Sequence, residues 1–311
     1  MRSIRFQNRI AASSVTLPAA AVLASVLWCV HATFSLSLLM SWICCGLITY
    51  IIIELVNTNA LIRIRTSLTP AIFLIVMGAM TWLHPSTEAF LSALCVALSY
   101  LFLFRTYSKP QPVHSIFLAF LLLGCGSCIC PPLCILSVCY WGYMASYLRC
   151  LTPRTFSSAC LGLLFPYWIW AGGCIYNRNF APLAEHFEKI YTAQPLSSIF
   201  LTQLSYAQTT AALFTLCLAL LCIVHYLQTD FNDKIRIRMY FYLLIIQELV
   251  LGVIAILFTQ YSQVWMVLWQ LNTCFLSAHY FALTSSRLSN LLFIITLLIY
   301  IAIAVASIIW K

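Results

Sequence analysis

The chain alternates about eleven long apolar runs with short gaps, and nearly every Lys and Arg falls in alternate gaps. A helix needs ~20 consecutive apolar residues to cross the ~30 Å hydrocarbon core of a bilayer. The runs are continuous and do not alternate residue by residue, which favours helices over a barrel. The expected fold class is therefore all-α, a polytopic transmembrane helix bundle of about 11 spans.

Composition excludes the soluble alternatives. Charged residues make up 7% of the 311 residues, against ~25% in soluble domains, and the mean hydropathy is +0.97. Residues 1–311 are thus expected to form a single integral-membrane domain. The net charge of +9 comes from cations scattered singly among loops, so no nucleic acid is expected as a partner. Many of the 15 cysteines, Cys44, Cys45, Cys95, Cys160, Cys217, Cys222 and Cys274 among them, sit inside apolar runs. There a thiol behaves as a small hydrophobe.

Spans are expected near 10–30, 35–55, 68–83, 89–104, 114–128, 132–147, 157–176, 199–226, 238–259, 264–284 and 291–310. The first is read as an uncleaved helix, because no small-residue cleavage site follows it. One set of gaps holds Arg2, Arg5, Arg9, Arg63, Arg65, Arg105, Lys109, Arg149, Arg154, Lys234, Arg236, Arg238 and Arg287. The other holds only Arg178, Lys189 and Lys311. Short loops of bacterial inner-membrane proteins keep Lys and Arg on the cytoplasmic side. The rule predicts a cytoplasmic N-terminus and a periplasmic C-terminus in the bacterial inner membrane. Trp28, Trp82, Trp168, Trp170, Trp265 and Trp310 fall near the expected outer ends, where an aromatic belt belongs. The runs at 114–128 and 132–147 are short, and they read as two tilted full spans in preference to a re-entrant hairpin.

Four stretches carry a resemblance. They are Arg63 to Pro70, Arg154-Thr155-Phe156 running through Gly162 to Trp168, Asp233 to Tyr240, and Ser286 to Asn290. They resemble a family of uncharacterised multi-pass inner-membrane proteins of Gram-negative anaerobes that has no assigned activity. The resemblance implies an envelope membrane protein and transfers no site residues.

Glu248 is the leading site candidate, since it interrupts the run Tyr240–Thr259 near its middle. A carboxylate at that depth is costly and normally faces a partner or a water-filled cavity. Gly252 and Ala255 share its face, which lets a neighbouring helix approach closely. Depth counting brings Asn272, His279 and Gln208 to similar levels, so Glu248, Asn272, His279 and Gln208 form the expected intramembrane polar site. The competing reading is that such groups only hydrogen-bond helices together.

The loop 177–198 is the long one on the outer face. Phe180, Leu183, Phe187, Ile190 and Tyr191 follow helical spacing, with Glu185, His186, Glu188 and Lys189 opposite. A periplasmic interfacial helix is expected there, lying flat on the membrane. Glu185, His186 and Glu188 could serve acid–base chemistry, although a solvated helix face explains them too. Cys125, Cys128, Cys130 and Cys134 lack the second Cys or His pair that zinc sites use, so no metal and no cofactor is expected. His84 and His114 stand at loop edges as lone interfacial histidines. No phosphate loop, nucleotide motif or catalytic triad order is visible.

Three functions remain in play. The first is cell-envelope biogenesis on a lipid-linked or amphiphilic substrate. The second is a proton-coupled small-molecule transporter using Glu248. The third is a non-enzymatic subunit of an envelope complex. The bilayer is the expected partner in each case, with a lipid-linked substrate or a membrane protein as the second. The sequence does not decide whether the chain is an enzyme.

Overall fold

The computed structural model describes residues 5–30, 35–192 and 206–309. Among them are thirteen α-helices and no β-strand. The first seven are α1 Phe6–Ala12, α2 Thr16–Trp28, α3 Leu36–Asn59, α4 Leu68–Ala79, α5 Thr87–Phe104, α6 Val113–Ile129 and α7 Leu136–Ser146. Then come α8 Pro153–Tyr176, α9 Ala181–Tyr191, α10 Tyr206–Thr229, α11 Ile235–Leu257, α12 Ser262–Leu283 and α13 Arg287–Ile309.

Local chemistry sets several of the boundaries. The Ser35 hydroxyl accepts from the Leu38 amide and caps α3. Thr152 and Thr155 form a reciprocal capping box at the start of α8, with Pro153 in the first turn. After Asn59 the chain turns through Ala60 in the left-handed region, at φ 49°.

The helices carry their apolar residues outward. On α13, Leu288, Leu291, Ile295, Leu298, Ile301 and Val305 are exposed, while Ser289, Thr296, Tyr300 and Ser307 are buried. That pattern inverts the one expected of a helix on a water-soluble protein. Hydrocarbon is the solvent that accommodates it, because an apolar stripe of this length would aggregate in water.

Six helices are long and apolar enough to span a membrane: α3, α5, α8, the stretch Tyr206–Asn232 that includes α10, α11 and α13. A seventh span is available if α1 and α2, bent by 93°, count as one. The expectation of about 11 spans is therefore not supported. Helix α4 has 12 residues and rises only about 18 Å, short of a bilayer core. The run 132–147 divides into a 3₁₀ turn at Pro131–Ile135 and the 11-residue α7. Helix α12 has the length, at 22 residues, but carries too many polar side chains to count among the apolar spans.

The chain divides into two compact units. Unit 1 takes in Met1–Thr87, Ser198–Glu248 and Trp269–Lys311; unit 2 takes in Glu88–Ser197 and Leu249–Leu268.

In unit 1 the basic gaps gather at one end. The Gln7 side-chain amide donates to the carbonyls of Phe281 and Thr284, and its backbone N–H donates to the Asn290 Oδ1. Thr66 donates to the Ala11 carbonyl, and Arg236 to that of Asn59. These bonds tie together the gaps that hold Arg5, Arg9, Arg63, Arg65, Lys234, Arg236, Arg238 and Arg287. The opposite gaps, without Lys or Arg among the described residues, are tied by Thr87 to the Ser37 carbonyl and by Thr81 and Ser307 to each other's segments. There His84 is buried, stacked 3.7 Å from Trp28 and bonded to the Met77 carbonyl.

Unit 2 repeats the segregation on its own. Ser108 bonds to the Leu148 carbonyl, Cys150 to Thr106, and Arg154 to Gln111, which gathers Arg105, Lys109, Arg149 and Arg154. Its core is the α6–α8 pair, which closes tightly at two glycines. A Cβ on Gly162 would stand 2.5 Å from the Phe117 carbonyl oxygen, and one on Gly124 would stand 2.6 Å from that of Leu163.

Candidate functional site

The part of α12 from Trp269 onward is the polar axis of unit 1. Residues Leu271–Tyr280 are buried without a break, and they include Asn272, Thr273, Ser277 and His279. Burying every face of a helix removes the solvent-facing side on which polar groups would normally sit. Each polar side chain must then find an internal partner.

Glu248 of α11 is buried and accepts a hydrogen bond from Thr273 at 2.6 Å. Trp269, Cys222 and Cys274 stand near the same carboxyl. One turn toward the α12 start, Gln270 donates to Thr215 of α10, beside which the Tyr300 hydroxyl of α13 lies. Ser277 donates back to the Thr273 carbonyl. Four helices thus contribute to one hydrogen-bonded core, in which Glu248 is the one carboxylate among the described groups.

His279 joins a different set of residues. Its Nε2 lies 2.9 Å from Asp233 Oδ2, while Arg63 Nε lies 2.8 Å from Oδ1. The Asp233 side chain is 1% exposed, so both of its oxygens are held by protein. The left-handed turn at Ala60 swings the chain after α3 back over the end of the unit and lets Arg63 reach it. Tyr226 and Phe241 pack their rings on His279. Tyr242 donates to Asp230 close by in sequence.

The four residues expected to form one site therefore divide. Asn272 is buried beside Thr273. His279 lies six residues beyond Thr273, about 9 Å along the axis, and reaches the loop aspartate. Gln208 is half-buried, two turns before Thr215 on α10.

Sequence reasoning missed Thr273, Trp269 and Gln270, and it missed Asp233 as the partner of His279 and Arg63 as the second partner of Asp233. A signal was available for Asp233, which with Asp230 supplies the only carboxylates in the basic gaps between spans. No comparable signal marks Thr273, since threonines are common in membrane helices.

The segment 177–198 holds a helix, α9, at Ala181–Tyr191, whereas residues 193–198 lie outside the described ones. Its inward face differs from the expectation. His186 is buried, Leu183 and Ile190 are half-buried, and Phe180 and Phe187 are exposed. The buried line runs 183, 186, 190, because the ring of His186 finds Tyr167 and Trp170 of α8 at 5.6 and 4.8 Å. His186 Nε2 lies 3.2 Å from the Tyr167 hydroxyl, which lies 2.8 Å from Ser127. Burial, and then the Lys189 cation, hold the His186 pKa below its usual value. Glu185, Glu188 and Lys189 are exposed.

Cys125, Cys128, Cys130 and Cys134 are free thiols. Among the described residues no three His, Cys, Asp or Glu side chains gather closely enough to hold a metal ion. Comparison of the chain with protein-family models, with curated proteins and with solved structures returns no match.

Proposed function

We propose that the chain is an integral protein of a bacterial inner membrane that handles a lipid-linked or other amphiphilic substrate of cell-envelope biogenesis. The basic end of each unit faces the cytoplasm under the positive-inside rule, which puts the N-terminus inside.

The observation that carries this reading is a lateral groove in unit 1. It has a volume of about 460 Å³ and apolar walls that include Phe6, Ile72, Ile75, Phe293 and Leu297, with Arg9 among its lining residues. The last four of those walls also line a smaller void, about 20 Å³, whose other residues include Ser277, Thr296 and Tyr300. Ile72, Ile75, Phe293 and Leu297 thus line both the groove and a small void with hydroxyls in its wall, among them Ser277, which bonds to the Thr273 carbonyl. An acyl or polyprenyl chain suits such walls, and an anionic headgroup suits Arg9. Intramembrane ionisable residues commonly mark substrate or proton routes, which supports such a role for Glu248.

The test is a photo-crosslinking amino acid at position 72, used in native membranes, with mass spectrometry of the captured species. Capture of a lipid-linked molecule that Ile75→Trp abolishes supports the reading. Capture of bulk phospholipid in proportion to its abundance refutes it. A second reading, the proton-coupled transporter, is favoured by the same carboxylate. It predicts proton uptake by liposomes containing the protein that Glu248→Gln removes. An assembly subunit would instead tolerate Glu248→Gln in full.

A further inference from the structure

The basic end of unit 2 differs from that of unit 1 in one respect. In unit 1, Asp230 and Asp233 stand among the cations, and Asp233 pairs with Arg63. In unit 2, no Asp or Glu occurs anywhere between Glu88 and Glu185, although Arg105, Lys109, Arg149 and Arg154 lie in that interval. Four cations therefore share one end of the unit with no carboxylate to balance them.

That end also holds a groove of about 840 Å³ between α6 and α8. Val113, His114 and Phe117 line one side, and Arg154, Ser157 and Leu161 the other. The polar groups sit in the first turns of the two helices. Phe117 and Leu161 lie deeper, just before the glycine crossing at Gly162. The groove is thus polar and cationic at its rim and apolar below. Arg154 and His114 are both exposed. Arg154 carries a hydrogen bond to the neutral Gln111 side chain at 3.2 Å, which leaves its charge uncompensated.

We infer that this groove binds one anionic phospholipid of the surrounding bilayer, with its phosphate on Arg154 and His114 and its first methylene groups against Phe117 and Leu161. Charge complementarity selects the headgroup, because a guanidinium takes a phosphate through paired, charge-assisted hydrogen bonds. The apolar floor selects a lipid over a free anion. Basic pockets against membrane helices on the cytoplasmic side bind such headgroups. This site lies wholly in unit 2 and stands or falls independently of the substrate groove in unit 1.

The test uses the full-length protein in detergent, with phosphatidylglycerol and phosphatidylcholine added in competition and retention read by native mass spectrometry. The wild type is expected to prefer phosphatidylglycerol about tenfold. Arg154→Gln combined with His114→Gln removes the preference. Arg178→Gln, in the same unit but away from the groove, keeps it. Leu161→Trp retains Arg154 and His114 but fills the groove, and it lowers phosphatidylglycerol retention about tenfold. This arm decides the matter if the double variant fails to fold. Equal retention of the two lipids by the wild type overturns the proposal, as does an Arg178→Gln effect equal to that of the groove variants. Displacement of the lipid by an equal concentration of inorganic phosphate overturns the lipid as occupant.

Discussion

His279 meets Asp233 at 2.9 Å, so a histidine inside a buried helix is anchored by a carboxylate from the α10–α11 loop, which reaches down into unit 1. Arg63 closes the other side of that carboxylate from the turn after α3. Three segments far apart in sequence are locked at one point by a group that is itself almost fully buried.

Removing the acceptor should therefore cost more than a typical surface ion pair. Asp233→Asn keeps the size but withdraws the charge that both partners use. Hydrogen bonds to charged groups contribute ~1.5–3 kcal/mol, and the half-exposed Arg63 brings the expected loss to the lower part of that range. Thermal unfolding in detergent checks it; a variant as stable as the wild type would show that the cluster contributes nothing.

Glu248→Gln should leave the fold nearly intact. The amide oxygen can still accept from Thr273, so the loss of stability should stay within about 1 kcal/mol. Activity in a complementation assay should nevertheless disappear. Thr273→Val is the counterpart, because it strips a partner from a buried carboxyl and should destabilise by ~1–3 kcal/mol. An active Glu248→Gln protein would reduce the carboxylate to a packing contact.

The docking of α9 should depend on pH. The folded-state pKa of His186 is lowered by burial and by Lys189, so the folded unit prefers the neutral ring. The contribution of this contact is complete above the ordinary histidine value of about 6.5. It is lost as pH falls through the lower folded value, because the unfolded state then binds more protons. Protection factors in the 181–191 segment, which correct for the intrinsic slowing of exchange in acid, should fall in mild acid, and His186→Gln should flatten that dependence. An unchanged acid response in the variant would assign the effect to another group.

The crossing of α6 and α8 should admit no side chain at Gly162. A methyl group there meets the Phe117 carbonyl oxygen at 2.5 Å, and backbone cannot yield as a side chain can. Gly162→Ala should cost ~1–3 kcal/mol through overpacking, whereas Gly142→Ala, with nothing within 4 Å of the new Cβ, should be neutral or stabilising. Equal unfolding temperatures for the two variants would mean that the helices slide apart without penalty.

Much of this architecture follows from the sequence. Apolar run length and the spacing of Lys and Arg determined that the chain is helical and suited to a bilayer, because hydrocarbon thickness and backbone hydrogen bonding leave few options. The same reasoning singled out Glu248, since a lone carboxylate in an apolar run is conspicuous. Tertiary structure decided which apolar runs have the length and composition of a span. Hydropathy does not distinguish α4, 12 residues long and buried almost throughout, from the first half of a membrane helix. Tertiary structure also decided the partners. His279 lies at a depth that Glu248 could share, but helix rotation and the fold of a loop gave it to Asp233. His186 sat on the polar face of α9 by periodicity, and the Tyr167 hydroxyl drew it inward. Periodicity fixes which residues share a face, and only packing against a particular neighbour fixes which face is turned in.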